Sequence, residues 1–163
     1  IFPDLSVLDN VMIPALSKRD GSFAIDVRKA MYSETSLRER AEHALTDVGL
    51  QEHLNQEAAS LSRGDKRRLE LAMGLVQNPR LLLLDEPTAG MSRLDTNRTI
   101  DLLRKFKERG MTKVIIEHDM HVVFSLADRV TVLAQGRIIA DGTPDQVRGN
   151  PAVQEAYLGG VHE

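Results

Sequence analysis

The sequence contains no cysteine and no tryptophan, and aromatic residues make up only 4% of its 163 residues. The absence of cysteine excludes a disulfide framework and any thiolate metal site, and it is compatible with a reducing compartment. No apolar run approaches the roughly 20 residues that a membrane-spanning helix needs, so we expect no direct insertion into a membrane. The formal net charge of -3 is small, and it provides no general attraction to nucleic acid or other polyanions.

The remaining composition is ordinary for one folded domain, with 42% hydrophobic and 28% charged residues. The length lies within the usual range of roughly 100–200 residues for a domain. The chain begins at Ile1 rather than at methionine, and no tag or targeting pattern precedes the segment Ile1-Phe2-Pro3-Asp4-Leu5. We expect this start to be a cut within a longer protein.

Apolar residues at helical spacing predict several amphipathic helices. A short helix is predicted from Ser6 to about Leu16, limited by Pro14. The charged segment 17–36 is interpreted as a loop, with a short helix within it as an open alternative. Gly49 and Gly110 stand where C-terminal caps belong. The further predicted helices cover residues 37–48, residues 65–77, a segment with Thr99, Leu102, Leu103 and Phe106 facing inward, a segment around 120–127, and two short segments after Thr143 and Asn150.

Two apolar segments predict β-strands. Leu81–Leu84 is too short for a separate helix between two prolines, and its continuous apolarity favours a strand buried on both faces. Lys113–Glu117 is the next predicted strand, and a strand, a helix and a strand in that order predict a right-handed crossover, a parallel sheet and the α/β fold class. The segments 130–134 and 137–140 flank Gln135-Gly136 and predict a hairpin.

Leu61-Ser62-Arg63-Gly64-Asp65 stands directly before the predicted helix at 65–77. A serine hydroxyl and the free backbone N–H groups at the positive end of a helix can hold a phosphate. The simpler alternative is that Ser62 only caps the helix, Gly64 permits the turn and Asp65 complements the helix dipole. Taken alone, this segment favours the simpler alternative.

Asp85-Glu86 places two carboxylates at the C-terminal end of the first predicted strand, where open α/β sheets bind their ligands. Oxygen ligands near nucleotide phosphates suit Mg²⁺, with Asp85 acting through a water and Glu86 as the candidate general base for hydrolysis. An acidic turn before Pro87 with no ligand is the alternative, and this segment alone does not decide between them.

His118 follows the second predicted strand and precedes Asp119. If the two strands are parallel neighbours, His118 lies at the same sheet edge as Asp85 and Glu86, where it would contact a terminal phosphate or the attacking water. An ordinary surface histidine is the alternative. The other four histidines have that interpretation, since no pair of them has convincing metal-ligand spacing: His43, His53, His121 and His162.

Taken together, the ordered segments LSRGD, LLLLDEP and VIIEHD resemble the signature motif, the Walker B motif and the switch-histidine loop of the ABC ATPase family. The resemblance extends over essentially the whole chain. Within the family, Ala89-Gly90-Met91 after DEPT, the run Glu117-His118-Asp119-Met120 and the ending GTPDQVRGNPAVQEAYLG are most similar to branched-chain amino-acid importer ATPases.

The resemblance implies the C-terminal part of a P-loop NTPase (RecA-like) core with parallel strands, together with the helical subdomain of ABC proteins. It divides the chain into three parts. Residues 1–78 are the post-Q-loop segment and the helical subdomain, which ends in the signature helix. Residues 79–135 are core strands and helices, and residues 136–163 are a C-terminal hairpin strand with short helices. It also implies site residues: Glu86 and His118 as catalytic, Asp85 for Mg²⁺, Leu61, Ser62, Arg63, Gly64 and Asp65 toward the ATP of a partner subunit, and Ala89, Gly90, Met91 and Ser92 as the D-loop.

Three departures from the family pattern bear on this interpretation. Arg63 and Asp65 stand where the commonest signature has Gly and Gln, which leaves Ser62 and Gly64 as the phosphate-facing pair. Ser92 replaces the usual aspartate of the D-loop, and Asp95 comes too late to substitute for it. The 163 residues contain no G-x-x-x-x-G-K-[S/T] phosphate-binding loop, which the resemblance places upstream of the first residue. We therefore expect the 163 residues alone neither to bind ATP tightly nor to hydrolyse it.

The resemblance implies an ATP- and Mg²⁺-dependent ATPase subunit that, at full length, powers uptake of branched-chain amino acids. Its expected partners are a second ABC ATPase subunit, identical or different, and membrane permease subunits, which would hold it on the cytoplasmic face of the inner or plasma membrane. A lipopolysaccharide-export ATPase is one alternative. A soluble ABC protein acting on nucleic acid is another, but no tandem core or long heptad repeat occurs, and Lys66-Arg67-Arg68 is interpreted as a solvated helix face. A non-catalytic module is disfavoured because both Glu86 and His118 are present.

Overall fold

The computed structural model of the protein describes residues 1–19 and 27–157. It forms two compact units, Ile1–Val114 and Ile115–Glu163. In chain order its elements are α1 (Val7–Arg19), α2 (Val27–Asp47), two short 3-10 helices (Gln51–His53 and Ala58–Ser60), α3 (Arg63–Leu75), β1 (Leu81–Asp85), α4 (Arg93–Glu108), β2 (Thr112–Ile116), α5 (Met120–Leu126), β3 (Val130–Ala134), β4 (Arg137–Gly142), α6 (Pro144–Arg148) and α7 (Pro151–Tyr157).

Helices α1, α2 and α3 pack against one another and form the core of the first part of the chain. Their buried residues recur mostly three and four positions apart, so each helix buries one face. Each large aliphatic side chain buried there contributes about 1.5–3 kcal/mol of transfer free energy. The buried residues include Val7, Val11 and Ala15 of α1, Leu37, Ala41 and Leu45 of α2, and Leu69, Leu71 and Ala72 of α3.

Two helices extend beyond their predicted limits. Helix α1 continues through Pro14 to Arg19, although proline removes the backbone bond to the Asn10 carbonyl. The packing of α1 against α2 and α3 offsets this cost of about 3 kcal/mol. Helix α2 begins at Val27 rather than near Leu37, so the loop interpretation was wrong over 27–36, where neither glycine nor proline interrupts the chain. The part of that predicted loop at 20–26 lies outside the described residues.

Strands β1 and β2 form a two-stranded parallel sheet, as the sequence predicts. The prediction that β1 is buried on both faces was wrong, because Leu81 is 46% exposed and Leu83 is 69% exposed. Only Leu82 is buried in this strand, and its Cδ1 atom lies 3.4 Å from the place that a Cβ on Gly74 of α3 would take. Helix α3 therefore covers one face of β1, and no described residue buries the opposite face.

Helix α4 follows β1 and has the buried face that the sequence predicts. Thr99, Leu102, Leu103 and Phe106 are buried together with Ile100. Lys105 and Lys107 stand in the last turn, where positive charge complements the helix dipole. Gly110 follows with φ +80°, a conformation that glycine adopts without strain.

The second unit contains the predicted hairpin, with β3 antiparallel to β4. Gln135 and Gly136 form its turn with φ +49° and +74°. A small apolar core lies under the hairpin, and α6 begins with the predicted capping box between Thr143 and Gln146. Arg129 donates hydrogen bonds to Asp141 and thereby lowers the pKa of that exposed carboxyl group. The core residues are Val130, Val132, Val147 and Val153.

Candidate nucleotide-facing site

The segment 61–65 forms a turn that leads into α3. Ser62 is the N-cap of this helix, and its Oγ atom accepts a hydrogen bond of 3.1 Å from the backbone N–H of Asp65. The same hydroxyl donates to Oδ2 of Asp65 over 2.7 Å. The predicted capping role is therefore confirmed. The helix begins two residues earlier than predicted because the cap precedes Arg63 rather than Asp65.

The residues of this turn differ in burial. Leu61 and Gly64 are buried, whereas Ser62 and Arg63 are exposed. The buried leucine fixes the turn on the helical layer, and the exposed serine presents its hydroxyl beside the first free N–H groups of α3. This arrangement suits an anion approaching from solvent.

Asp65 joins this turn to the end of α2. Its Oδ1 atom forms an ion pair with Arg68 one turn later. Arg68 in turn donates to the backbone carbonyls of Val48 and Gly49, at 3.5 and 3.4 Å, where α2 ends. The negative charge of Asp65 is thus balanced within the protein, which lessens its repulsion of a phosphate near Ser62.

Asp85 and Glu86 lie at the C-terminal end of β1, and both are exposed. Pro87 and Thr88 are buried directly after them. Two backbone bonds shape the loop, from Ala89 N–H to the Glu86 carbonyl at 3.1 Å and from Met91 N–H to the Thr88 carbonyl at 3.2 Å. The two carboxylates therefore stand on an anchored turn.

Glu86 has φ +44°, in the left-handed region. That conformation costs a non-glycine residue about 1–2 kcal/mol, and such strain is concentrated at functional positions. Nothing in the local sequence favours it, so the buried Pro87 and Thr88 and the two turn bonds must hold it. The sequence does not predict this conformation.

The predicted D-loop residues continue the turn toward α4. Gly90 has φ +67°. Ser92 caps α4 as Ser62 caps α3, accepting from the Asp95 N–H at 3.2 Å and donating to the Asp95 carboxylate at 2.7 Å. Met91 accepts a bond from the Thr99 hydroxyl at 3.4 Å. The loop is thus fixed at both ends.

The turn at 61–65 touches the loop after β1. A Cβ built on Gly90 would lie 2.7 Å from Cζ and Nη1 of Arg63, and one built on Gly64 would lie 3.2 Å from Cγ of Asp95. Sequence reasoning did not identify these contacts, because they join residues about 30 positions apart. The only local signal is a glycine at each point of close approach.

His118 follows β2 and is exposed, as expected for a residue at a strand end. The next residue, Asp119, caps α5 by accepting from the His121 N–H at 2.8 Å. His118 belongs to the second unit. Its place beside Asp85 and Glu86 stays a prediction.

The residues present fit a magnesium ion that takes most of its ligands from phosphates and water. Among residues 1–19 and 27–157, no three Asp, Glu, His or Cys side chains form a metal-binding group. A single exposed carboxylate at Asp85 suits Mg²⁺, which keeps several waters and binds proteins through one or two carboxylates. A protein cage for a metal is therefore not expected here. No helix in the described parts of the chain is long and apolar enough to cross a bilayer.

Comparison with known families gives two matches. The family model described as "ABC transporter" matches residues 1–89. The model described as "Branched-chain amino acid ATP-binding cassette transporter" matches residues 137–163. The two matches lie at opposite ends of the chain and agree on the same kind of protein.

Similar curated proteins and solved structures agree with these matches. The chain is 37% identical over 163 residues to the branched-chain amino acid transport ATP-binding protein BraF of Pseudomonas aeruginosa and 36% identical to LivG of Escherichia coli, each over 98% of this chain. It spans 64% of the length of each. The crystal structure of the ADP conformation of an ATP-binding cassette of an ABC transporter matches with a TM-score of 0.79 and 26% identity, over 97% of this chain and 64% of that one.

Proposed function

The chain belongs to the ABC transporter family, and from that premise we propose that it supplies two parts of an ATPase that powers the uptake of branched-chain amino acids. These parts are the signature turn, residues 61–65, and the hydrolytic carboxylate. The observation that carries this proposal is Glu86, which directly follows Asp85 at the end of a parallel strand and is exposed in a strained conformation. The same loop touches the turn that bears Ser62.

Glu86 acts as the general base in this proposal. Its carboxylate is exposed at the end of β1 and can accept a proton from a water that attacks the terminal phosphate. The left-handed backbone at Glu86 and the buried Pro87 fix the main chain from which the carboxylate extends. Such fixed placement is what phosphoryl transfer requires, because the protein mainly positions groups and offsets charge.

Ser62 and Gly64 face the ATP held by a second subunit. The hydroxyl of Ser62 lies at the positive end of α3, beside free backbone N–H groups that can donate to a phosphate. Leu61 anchors the turn, and Arg63 and Asp65 complete it. Buried Gly64 keeps the backbone open on this side, where a side chain would press against Asp95.

Asp85 would hold Mg²⁺ through a water, and the ion would offset the charge that develops on the phosphates. His118 would contact the terminal phosphate or the attacking water from the end of β2. The D-loop residues 89–92 would face the second subunit. Each segment that resembles an ABC ATPase motif thus has one proposed role.

The partners follow from the same family membership. We propose a dimer with a second ABC ATPase subunit, identical or different, and attachment to permease subunits on the cytoplasmic face of the membrane. BraF and LivG are named as branched-chain amino acid transport proteins, and the C-terminal family match supports the same cargo class.

The test measures ATP hydrolysis by the complete transporter that contains this chain. Glu86→Gln keeps the shape of the side chain but removes the base, so we expect turnover to fall by at least about 100-fold. Glu108→Gln is the matched control, because Glu108 is an exposed glutamate at the end of α4, and its turnover should stay within twofold of the wild type.

Two results would contradict the proposal. One is a Glu86→Gln variant that hydrolyses ATP at the rate of the control. The other is ATP turnover by the complete transporter that does not change when Ser62, the residue proposed to face the ATP of the second subunit, is replaced by alanine. Turnover by the purified 163 residues alone would contradict only the expectation that they are inactive, since they include no phosphate-binding loop. Cargo is tested separately, by measuring whether leucine, isoleucine or valine uptake is lost with the Glu86→Gln variant.

A further inference from the structure

The guanidinium group of Arg63 lies face-on against the backbone of Gly90. A Cβ on Gly90 would be 2.7 Å from both Cζ and Nη1 of Arg63 and 3.0 Å from Nη2. Three atoms of one planar group at such similar distances indicate that the plane covers the glycine. Nonbonded heavy atoms are normally about 3.5 Å apart or more, so any residue larger than glycine would have to displace the guanidinium group at the end of the flexible Arg63 side chain.

An ion pair does not explain this placement. Among the described residues, Arg63 has no recorded hydrogen bond or salt bridge, whereas Arg67 and Arg68 on the following turn are each paired with a carboxylate. The position of the Arg63 side chain is therefore set by packing against Gly90. Arginine suits this contact because its planar group can lie flat on a surface, which the ammonium group of lysine cannot do.

A second contact lies next to the first. Gly64 approaches the side chain of Asp95, with Cγ 3.2 Å from the position of an added Cβ. Two consecutive residues of the signature turn thus meet two points of the segment that runs from Glu86 to the first turn of α4. These two side-chain contacts bring the segments together at this point.

We propose that Arg63 is a positioning residue that couples the signature turn to the loop of Glu86 through Gly90. This inference rests on the proposed function, in which Ser62 faces the ATP held by the partner subunit and Glu86 acts on the ATP held by its own. The contact then links the two ATP sites of a dimer within each subunit.

The first experiment tests the contact by thermal unfolding. Gly110 has φ +80° and no atom within 4 Å of an added Cβ, so Gly110→Ala measures the cost of the backbone conformation alone. We expect it to lower Tm by about 2–4 °C, and Gly90→Ala to lower it further, because that substitution must also displace the Arg63 guanidinium group. In an Arg63→Ala background, the extra loss at Gly90 should disappear. Equal losses for Gly90→Ala and Gly110→Ala, or an extra loss that survives Arg63→Ala, would overturn the proposal.

The second experiment measures kcat and KM for ATP in the complete transporter. Arg63→Ala should lower kcat about tenfold and leave KM within twofold, because it disturbs the placement of Glu86 rather than ground-state binding. Arg63→Lys should behave like Arg63→Ala. Wild-type kcat in either variant, or a raised KM that lysine restores, would overturn the proposal; the latter would indicate a charge contact with phosphate instead.

Glu86→Gln in the same preparation distinguishes a failure of the proposed function from a failure of the proposed coupling through Gly90. If it retains turnover, the proposed function fails whatever the Arg63 variants show. If it loses turnover while the Arg63 variants match the wild type, the ATPase assignment holds and only the coupling through Gly90 is overturned.

Discussion

The signature turn and the loop after β1 are held in shape by different means. The turn has ordinary backbone angles at Ser62, with φ -60°, and is fixed by side-chain bonds from Ser62 through Asp65 to Arg68. The loop has a similar serine cap at Ser92, but its backbone also fixes it, with left-handed residues at Glu86 and Gly90 and two backbone hydrogen bonds. A turn held by side chains can exchange its hydroxyl bond for a ligand bond at little cost, whereas the loop after β1 keeps the same main-chain course.

Among substitutions in the signature turn, the largest expected effect comes from Ser62→Ala, which removes the hydroxyl from the turn. We expect ATP turnover by the complete transporter to fall about 100-fold, as when one donor to a developing negative charge is deleted. The lost cap should also lower the free energy of unfolding by about 1 kcal/mol. Both quantities are measurable on one preparation, by ATPase assay and by urea denaturation.

Ser6→Ala is the control for this substitution. Ser6 makes the same two bonds with Asp9, donating at 2.6 Å and accepting at 3.0 Å, but it lies outside the candidate site. Stability should fall by a similar amount while turnover stays within twofold. A similar loss of turnover in both variants would show that the Ser62 effect is only structural.

Asp65→Asn should have the next largest effect, because it breaks the ion pair that joins the turn to α2. The Asp65 and Arg68 side chains are only 16% and 21% exposed, whereas Asp95 and Arg98, at 34% and 58%, are a more open pair. We expect the free energy of unfolding to fall by about 1–2 kcal/mol for Asp65→Asn and by about 0.5 kcal/mol for Asp95→Asn. Equal losses in urea denaturation would mean that the link through Arg68 contributes nothing.

The smallest effect concerns backbone strain. Gln135 and Glu86 are both non-glycine residues in the left-handed region, with φ +49° and +44°. Asparagine tolerates that region better, so Gln135→Asn in the hairpin turn should raise the free energy of unfolding by about 0.5 kcal/mol and leave turnover unchanged. Glu86→Asn should relieve the same strain but abolish turnover. A Gln135→Asn variant that is less stable than the wild type in urea would contradict this account.

Sequence reasoning predicted the parts of the site that depend on local chemistry. The cap at Ser62 follows from a serine three residues before an aspartate, and the strand ending at Asp85 follows from four leucines between prolines. It did not predict the conformation of Glu86, because no local preference places a residue before proline in the left-handed region. That conformation depends on the buried residues that follow.

Contacts between segments that are distant along the chain were also not predicted from the sequence. Arg63 stands out in the pattern only as a departure from the usual signature, and its contact with Gly90 depends on how α3 and the loop pack. Similarly, the leucines of β1 predict a strand but not how many layers cover it. The prediction therefore missed the exposure of Leu83. The apolarity of a side chain determines the free energy that its burial would contribute, but it does not identify the element that covers the side chain.

The most direct measurement is the structure of the complete transporter with ATP, Mg²⁺ and the Glu86→Gln substitution, which should retain the nucleotide. The account predicts the Ser62 Oγ atom of each subunit at about 2.7–3.0 Å from a terminal phosphate oxygen of the ATP held by its partner, with residue 86 of the partner directed at the same phosphate. It is contradicted if Ser62 stays bonded to Asp65, remote from every phosphate, in a complex that contains bound ATP.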